Sequence, residues 1–168
     1  VVVTGMGALT PIGNNLDSYW TGLISGTSGC SNITQFDASN FKTKFACELK
    51  GYDPANYFER KEYRRYDKFS QYGLVAASEA INDSKIIESS LNNDRIGVIW
   101  GAGIGGLETF QNEVLNFSDG DGTPRFNPFM IPKMIPDIAA GLIAMKYGFQ
   151  GPNYATCLLY TSPSPRDV

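Results

Sequence analysis

Apolar positions along this chain recur with two periods, and the switches between them lay out an order of strands and helices. Val1, Val2, Val3 and Thr4 are β-branched and uninterrupted, the pattern of a central strand covered on both faces. Gly5, Gly7, Pro11 and Gly13 then make a turn-rich loop. Leu16, Tyr19, Trp20, Leu23 and Ile24 follow helical spacing; Asn14 or Asn15 stands where an N-cap belongs, and Gly26 where the helix should stop. Residues 27–58 are irregular, with short strand-like pieces such as Lys44–Cys47.

Beyond a basic stretch at Arg60–Arg65, Asp67 is placed to cap a second helix through Phe69, Tyr72, Ala76, Ala77, Ala80 and Ile81. Arg95–Trp100 is the clearest interior strand, and it opens into the glycine-rich run Gly101–Gly106. A third helix is predicted from about Leu107 to Phe117, followed by a loop from Ser118 to Pro128. Pro136 suits the first turn of a fourth helix with Ile138, Leu142, Ile143 and Tyr147 on its apolar side. Ala139, Ala140, Gly141 and Ala144 are small, so that helix can approach a neighbour closely. Strands alternating with helices predict an α/β layered fold with a largely parallel sheet.

Composition narrows the function classes. The 168 residues carry a net charge of −3, so no global basic field draws the chain to nucleic acid. No apolar run approaches the roughly 20 residues that span a bilayer, so no membrane partner is expected. Cys30, Cys47 and Cys157 are odd in number and widely spaced, which is neither a disulfide framework nor a zinc pattern and suits a reducing, cytoplasmic setting. Histidine is absent, which removes imidazole bases and His-ligated metals from the chain as given.

Several motifs invite chemistry. The loop Thr4–Gly13 lacks the third glycine of a dinucleotide cradle and the Lys-Ser/Thr of a P-loop, so a tight turn explains it better. Gly101-x-Gly103-x-x-Gly106 does satisfy the dinucleotide fingerprint between a strand and a helix. The acidic residue expected about 20 positions on would fall at Asp119–Asp121, in a loop with no strand before it. Asp119-Gly120-Asp121-Gly122 fails as a calcium loop, with Pro124 in the glycine position and Met130 in the glutamate position. Four of the chain's 14 Lys and Arg fall within Arg60–Arg65, either a solvated surface or a dock for a small acidic partner. Asn127–Pro132 is an apolar segment between prolines: a loop on its own core, or a wall for a lipid-like substrate or second subunit.

The last dozen residues break the pattern. Cys157–Asp167 carries two prolines and no periodicity, and resembles the translation of a transposase adapter used in sequencing libraries. The expected organisation is therefore a partial domain over 1–156 and a non-native tail over 157–168.

In order, the motifs resemble one family. The opening Val-Val-Val-Thr-Gly-Met-Gly with Thr10-Pro11-Ile12-Gly13-Asn14, Phe36-Asp37 and Lys44-Phe45-Ala46 are similar to the β-ketoacyl-acyl-carrier-protein synthases, elongating condensing enzymes of bacterial type. Arg60-Lys61-Glu62 with Arg64, Arg65, Asp67, Phe69 and Gln71-Tyr72-Gly73 continues the match. So do Gly101–Gly106, Asn127-Pro128-Phe129 and Gly151–Thr156, and the second, long-chain subtype fits best. The resemblance implies the thiolase-like fold, two βαβαβαββ halves in five layers, of which this chain would hold most of the N-terminal half, truncated.

It also implies an acyltransferase of fatty-acid synthesis, dimeric with itself, whose partners are acyl carrier protein and acyl and malonyl thioesters, with no metal or other cofactor. Lys61, Arg64 and Arg65 align with carrier-protein contacts. Ile104 aligns with the acyl-pocket gate, and Phe129, Met130 and Ile131 with the wall of the acyl channel near the dimer interface. The nucleophilic cysteine should stand at position 160, where this chain has Tyr160; Cys157 matches no motif, and two histidines would lie further on. The polypeptide as written is therefore expected to be inactive. Two other readings are an NAD(P)-binding oxidoreductase resting on Gly101–Gly106 and a catalytically inactive carrier-protein-binding homologue.

Overall fold

In a computed structural model, residues 1–156 are described; the expectations for Cys157, Tyr160 and the tail 157–168 lie outside the described residues. The chain divides into two compact units, Val1–Tyr57 with Val75–Glu88, and Phe58–Leu74 with the residues from Ser89 on.

In the first unit, α1 (Leu16–Ile24) begins at Asn15, whose side chain accepts from Ser18 N at 2.8 Å while Ser18 Oγ accepts from Asn15 N at 3.3 Å. This reciprocal box satisfies two N–H groups that helix geometry leaves unpaired. The strand expected at Val1–Thr4 does not form. Val1, Val2 and Val3 are 133%, 82% and 80% exposed, and no strand pairs with them among the described residues. Beyond them the backbone is held by carboxylates on the second half of α3 (Lys68–Ser84). Met6 N donates to Asp83 Oδ2 at 2.9 Å and Ala8 N to Glu79 Oε2 at 2.8 Å. Gly7 is required by this approach, because a Cβ there would sit 2.0 Å from Ala76 O. The strand-like piece at Lys44–Cys47 appears as β2 (Phe45–Ala46), antiparallel to β1 (Ser31–Asn32) in the register Ser31↔Ala46, Asn32↔Phe45.

The second unit is organised by a parallel pair. β3 (Val98–Gly101) pairs with β4 (Asn153–Thr156) in the register Val98↔Asn153 to Gly101↔Thr156. The strand is shorter than the expected Arg95–Trp100 because Asn93–Arg95 form a 3₁₀ turn capped by the Asn92 side chain. Three helices make the crossover from β3 to β4: α4 (Leu107–Ser118), α5 (Met130–Met134) and α6 (Ile138–Tyr147). A crossover between parallel strands needs such helices to return the chain to the same end of the sheet. The helix expected from Leu107 is present, whereas α5 overlaps the apolar segment Asn127–Pro132, where no helix is expected. Pro136 precedes the cap residue Asp137 rather than occupying the first turn.

Helix α6 packs on β3 and β4, and its small residues permit it: Ala139 and Ala140 are fully buried with Ile143. Gly148, left-handed at φ 72°, ends the helix, and Phe149 N returns to Ala144 O at 3.0 Å. Phe58, Leu74 and Phe149 are also buried in this unit.

Candidate functional site

Every residue that the sequence assigns to carrier docking or to the acyl pocket falls in the second unit. Lys61 lies on α2 (Arg60–Tyr63), with Arg64 as its C-cap and Arg65 next in the chain; all three are exposed. The turn is set from within, since Glu59 N donates to Glu62 Oε2 at 3.1 Å. None of the three cations forms an ion pair among the described residues. Beside them burial pushes the Tyr66 phenol up; Glu62 adds to this and Arg65 opposes it.

The acyl-wall residues open α5. Phe129 is its N-cap, exposed at 44%, Met130 is half-buried and Ile131 is exposed. Arg65 joins the two groups: its guanidinium lies 5.3 Å from the Phe129 ring centroid, within cation–π range. The basic cluster and the apolar segment are thus contiguous, which sequence separation conceals.

Ile104 stands 68% exposed in the loop between β3 and α4. The loop is fixed behind it. Gly106 N donates to Met134 O at 2.9 Å, and a Cβ on Gly106 would lie 2.6 Å from Lys133 O and 2.9 Å from Asp67 Oδ2. The Gly106 amide is therefore spent on α5 rather than offered to a pyrophosphate. Asp119, near where a dinucleotide fold needs an acid at a strand end, is the C-cap of α4. These facts weigh against the nucleotide reading of Gly101–Gly106.

One carboxylate organises both helix entries. Asp67 is buried; its Oδ1 accepts from Phe69 N at 3.3 Å at the start of α3, and its Oδ2 accepts from Thr109 N at 3.2 Å and from Thr109 Oγ1. Gly106, the N-cap of α4, has no side chain to cap with, and Asp67 supplies one. Lys68 and Glu108 add an ion pair at 3.0 Å, both side chains about half exposed. Sequence reasoning found the first of these caps and missed the second, because nothing local links positions 42 residues apart.

At the carboxyl ends of β3 and β4 a cleft of about 270 Å³ is lined by Ala102, Gly103, Pro136, Asp137, Ala155 and Thr156. Clefts beyond the carboxyl ends of parallel strands are where α/β folds bind ligands. The described lining offers one carboxylate and the N-terminus of α6, but no thiol and no imidazole.

A parallel strand pair joined through helices, opening on a cleft at its carboxyl ends, is part of a thiolase-like α/β architecture, and solved ketosynthases superpose on it. The ishigamide ketosynthase/chain length factor matches with a TM-score of 0.81 and 23% identity over 93% of this chain and 39% of that one. A type II PKS ketosynthase bound to its acyl-carrier protein matches with a TM-score of 0.70 and 26% identity over 92% of this chain and 40% of that one. A family model described as "Beta-ketoacyl synthase, N-terminal domain" matches residues 1–157, and the chain belongs to this family. Among curated relatives, 3-oxoacyl-[acyl-carrier-protein] synthase 2 of Synechocystis sp. is 46% identical over 156 residues, and the protein of that name in Staphylococcus aureus 42%. Those matches take in 93% of this chain but 37% of each relative's length. Among the described residues no helix is long and apolar enough to cross a membrane.

Proposed function

We propose that these residues are the N-terminal part of an elongating 3-oxoacyl-[acyl-carrier-protein] synthase, a cytoplasmic homodimer acting in fatty-acid synthesis. In the proposed reaction a cysteine thiolate takes the acyl group from acyl carrier protein and releases the carrier thiol. Malonyl-carrier protein then loses CO2, and the resulting carbanion attacks the acyl-enzyme carbonyl, lengthening the chain and freeing the cysteine.

The observation that carries this reading is the Arg65–Phe129 contact. An acidic carrier helix meeting Lys61, Arg64 and Arg65 would deliver its thioester beside an apolar wall formed by Phe129, Met130 and Ile131. Ile104, a branched side chain exposed among glycines, has the freedom to act as a gate to that wall. The relatives' shared name supports the same partner and chemistry.

The proposed nucleophile is a cysteine at position 160 of the source gene, where the family resemblance expects one. Sequencing the source gene beyond Thr156 tests this: cysteine at 160 and two later histidines are expected, and the product should condense acyl and malonyl thioesters. A continuation lacking that cysteine would leave a non-condensing carrier-binding homologue, and saturable NAD(P)H binding would point to an oxidoreductase instead.

A further inference from the structure

Cys30 and Cys47 are seventeen positions apart and flank the short β1–β2 ladder. The ladder ends at Ser31↔Ala46, and its register continued by one residue sets Cys30 opposite Cys47. The hydrogen bonding fixes the kind of pair this is. Ile33 N donates to Lys44 O at 3.0 Å, which makes Ile33/Lys44 a hydrogen-bonded pair. Alternation along an antiparallel ladder then makes Asn32/Phe45 non-hydrogen-bonded and Ser31/Ala46 hydrogen-bonded, and the continued register gives Cys30/Cys47 the geometry of a non-hydrogen-bonded pair. Non-hydrogen-bonded partners bring their Cα atoms to about 4.5 Å, inside the range a disulfide bridges. Burial supports the facing: Cys30, Asn32, Phe45 and Cys47 are all exposed, while Ser31 and Ala46 on the opposite face are partly covered. Both thiols are free in this structure.

We propose that Cys30 and Cys47 form a reversible cross-strand disulfide, a redox-modification site on the solvent face of this hairpin. It stands independently of the condensing-enzyme reading. The oxidant is a low-molecular-weight disulfide. One cysteine thiolate attacks a sulfur of that disulfide, forming a mixed disulfide and releasing one small thiol. The second cysteine thiolate then attacks the protein sulfur of the mixed disulfide, closing Cys30–Cys47 and releasing the second small thiol. Two protein thiols are oxidised, one small disulfide is reduced, and the protons pass to the released thiols. An exposed bridge of this kind belongs to the reducible class rather than to the structural one.

The test uses the full chain equilibrated in glutathione redox buffers, acid-quenched and digested with trypsin. Cleavage after Lys42, Lys44 and Lys50 separates the two cysteines, so a bridge appears as residues 1–42 joined to Phe45–Lys50. The expected result is that this species dominates over any bridge to Cys157, independently of protein concentration. Its formation constant should be at least about tenfold larger in native buffer than in urea, because the ladder supplies the proximity. Cys157→Ser should leave it unchanged. Equal constants in buffer and urea, bridges to Cys157 in comparable yield, or stable glutathione adducts on both cysteines would each overturn the proposal.

Discussion

Asp67 and Thr109 meet through two hydrogen bonds, backbone and hydroxyl, across 42 positions of chain. The same carboxylate also receives Phe69 N, so the entries of α3 and α4 depend on a single buried side chain. Asp67→Ala removes caps from both helices and leaves the Thr109 donors without their acceptor. Urea unfolding should show a loss of about 2 kcal/mol. Thr109→Val, which keeps the branched shape and deletes the hydroxyl, should cost roughly 1 kcal/mol. The double variant should fall short of the sum, because the two side chains share one interaction. Full additivity would show that the contact carries no energy.

Gly73 poses a contest of signs. On propensity alone, alanine within a helix is favoured over glycine by about 1 kcal/mol. Yet a Cβ at Gly73 would lie 2.4 Å from Trp100 Cη2, against the face of a ring whose Nε1 is itself buried. Overpacking of this kind costs roughly 1–3 kcal/mol, so Gly73→Ala should destabilise and shift tryptophan emission. Trp100→Leu should reverse the sign of the alanine substitution.

The basic cluster should act through charge. On the proposed function, Lys61→Glu or Arg64→Glu should each weaken acyl carrier protein binding about five- to tenfold at low salt, with the difference shrinking as salt rises. Arg65→Ala should add a second effect by uncovering the Phe129 ring. A cycle with Phe129→Leu should give a coupling of about 0.5–1 kcal/mol, measured by unfolding without the carrier.

Two phenols should titrate late. Burial raises Tyr66, helped by Glu62 and opposed by Arg65; burial also raises Tyr72, opposed by Lys68 and helped by Glu108 and Asp67. In both, the folded value exceeds the unfolded one near 10. Their contribution to stability is therefore complete below about pH 10 and is lost as pH rises through the folded values. Phenolate absorbance should show a late fraction that diminishes in Tyr66→Phe and in Tyr72→Phe.

What could be read from the sequence was what short stretches of chain decide alone. Asn15 and Gly26 bound α1 because caps act within a turn, and Leu107 begins α4 because its period is unbroken. The order of motifs also identified the family, and with it the fold. Misread features depended on distant partners or on competition. Val1–Thr4 has the composition of a strand, yet a strand needs a neighbour, and the N–H groups just beyond it went to Asp83 and Glu79. Helix α5 was hidden by Pro132, which reads as a breaker but sits within its first turn. No spacing rule links Arg65 to Phe129, or Cys30 to Cys47; only tertiary register brings such positions together.

The parallel pairing of Val98 with Asn153 also has a timetable. Strand β3 leaves the ribosome with its partner still 55 codons away, which at about 5–20 residues per second is a wait of several seconds. Throughout that interval the backbone edge of β3 is open. The nascent chain is most vulnerable to association then, and a chaperone acting on this polypeptide would have its first task at the 98–101 segment.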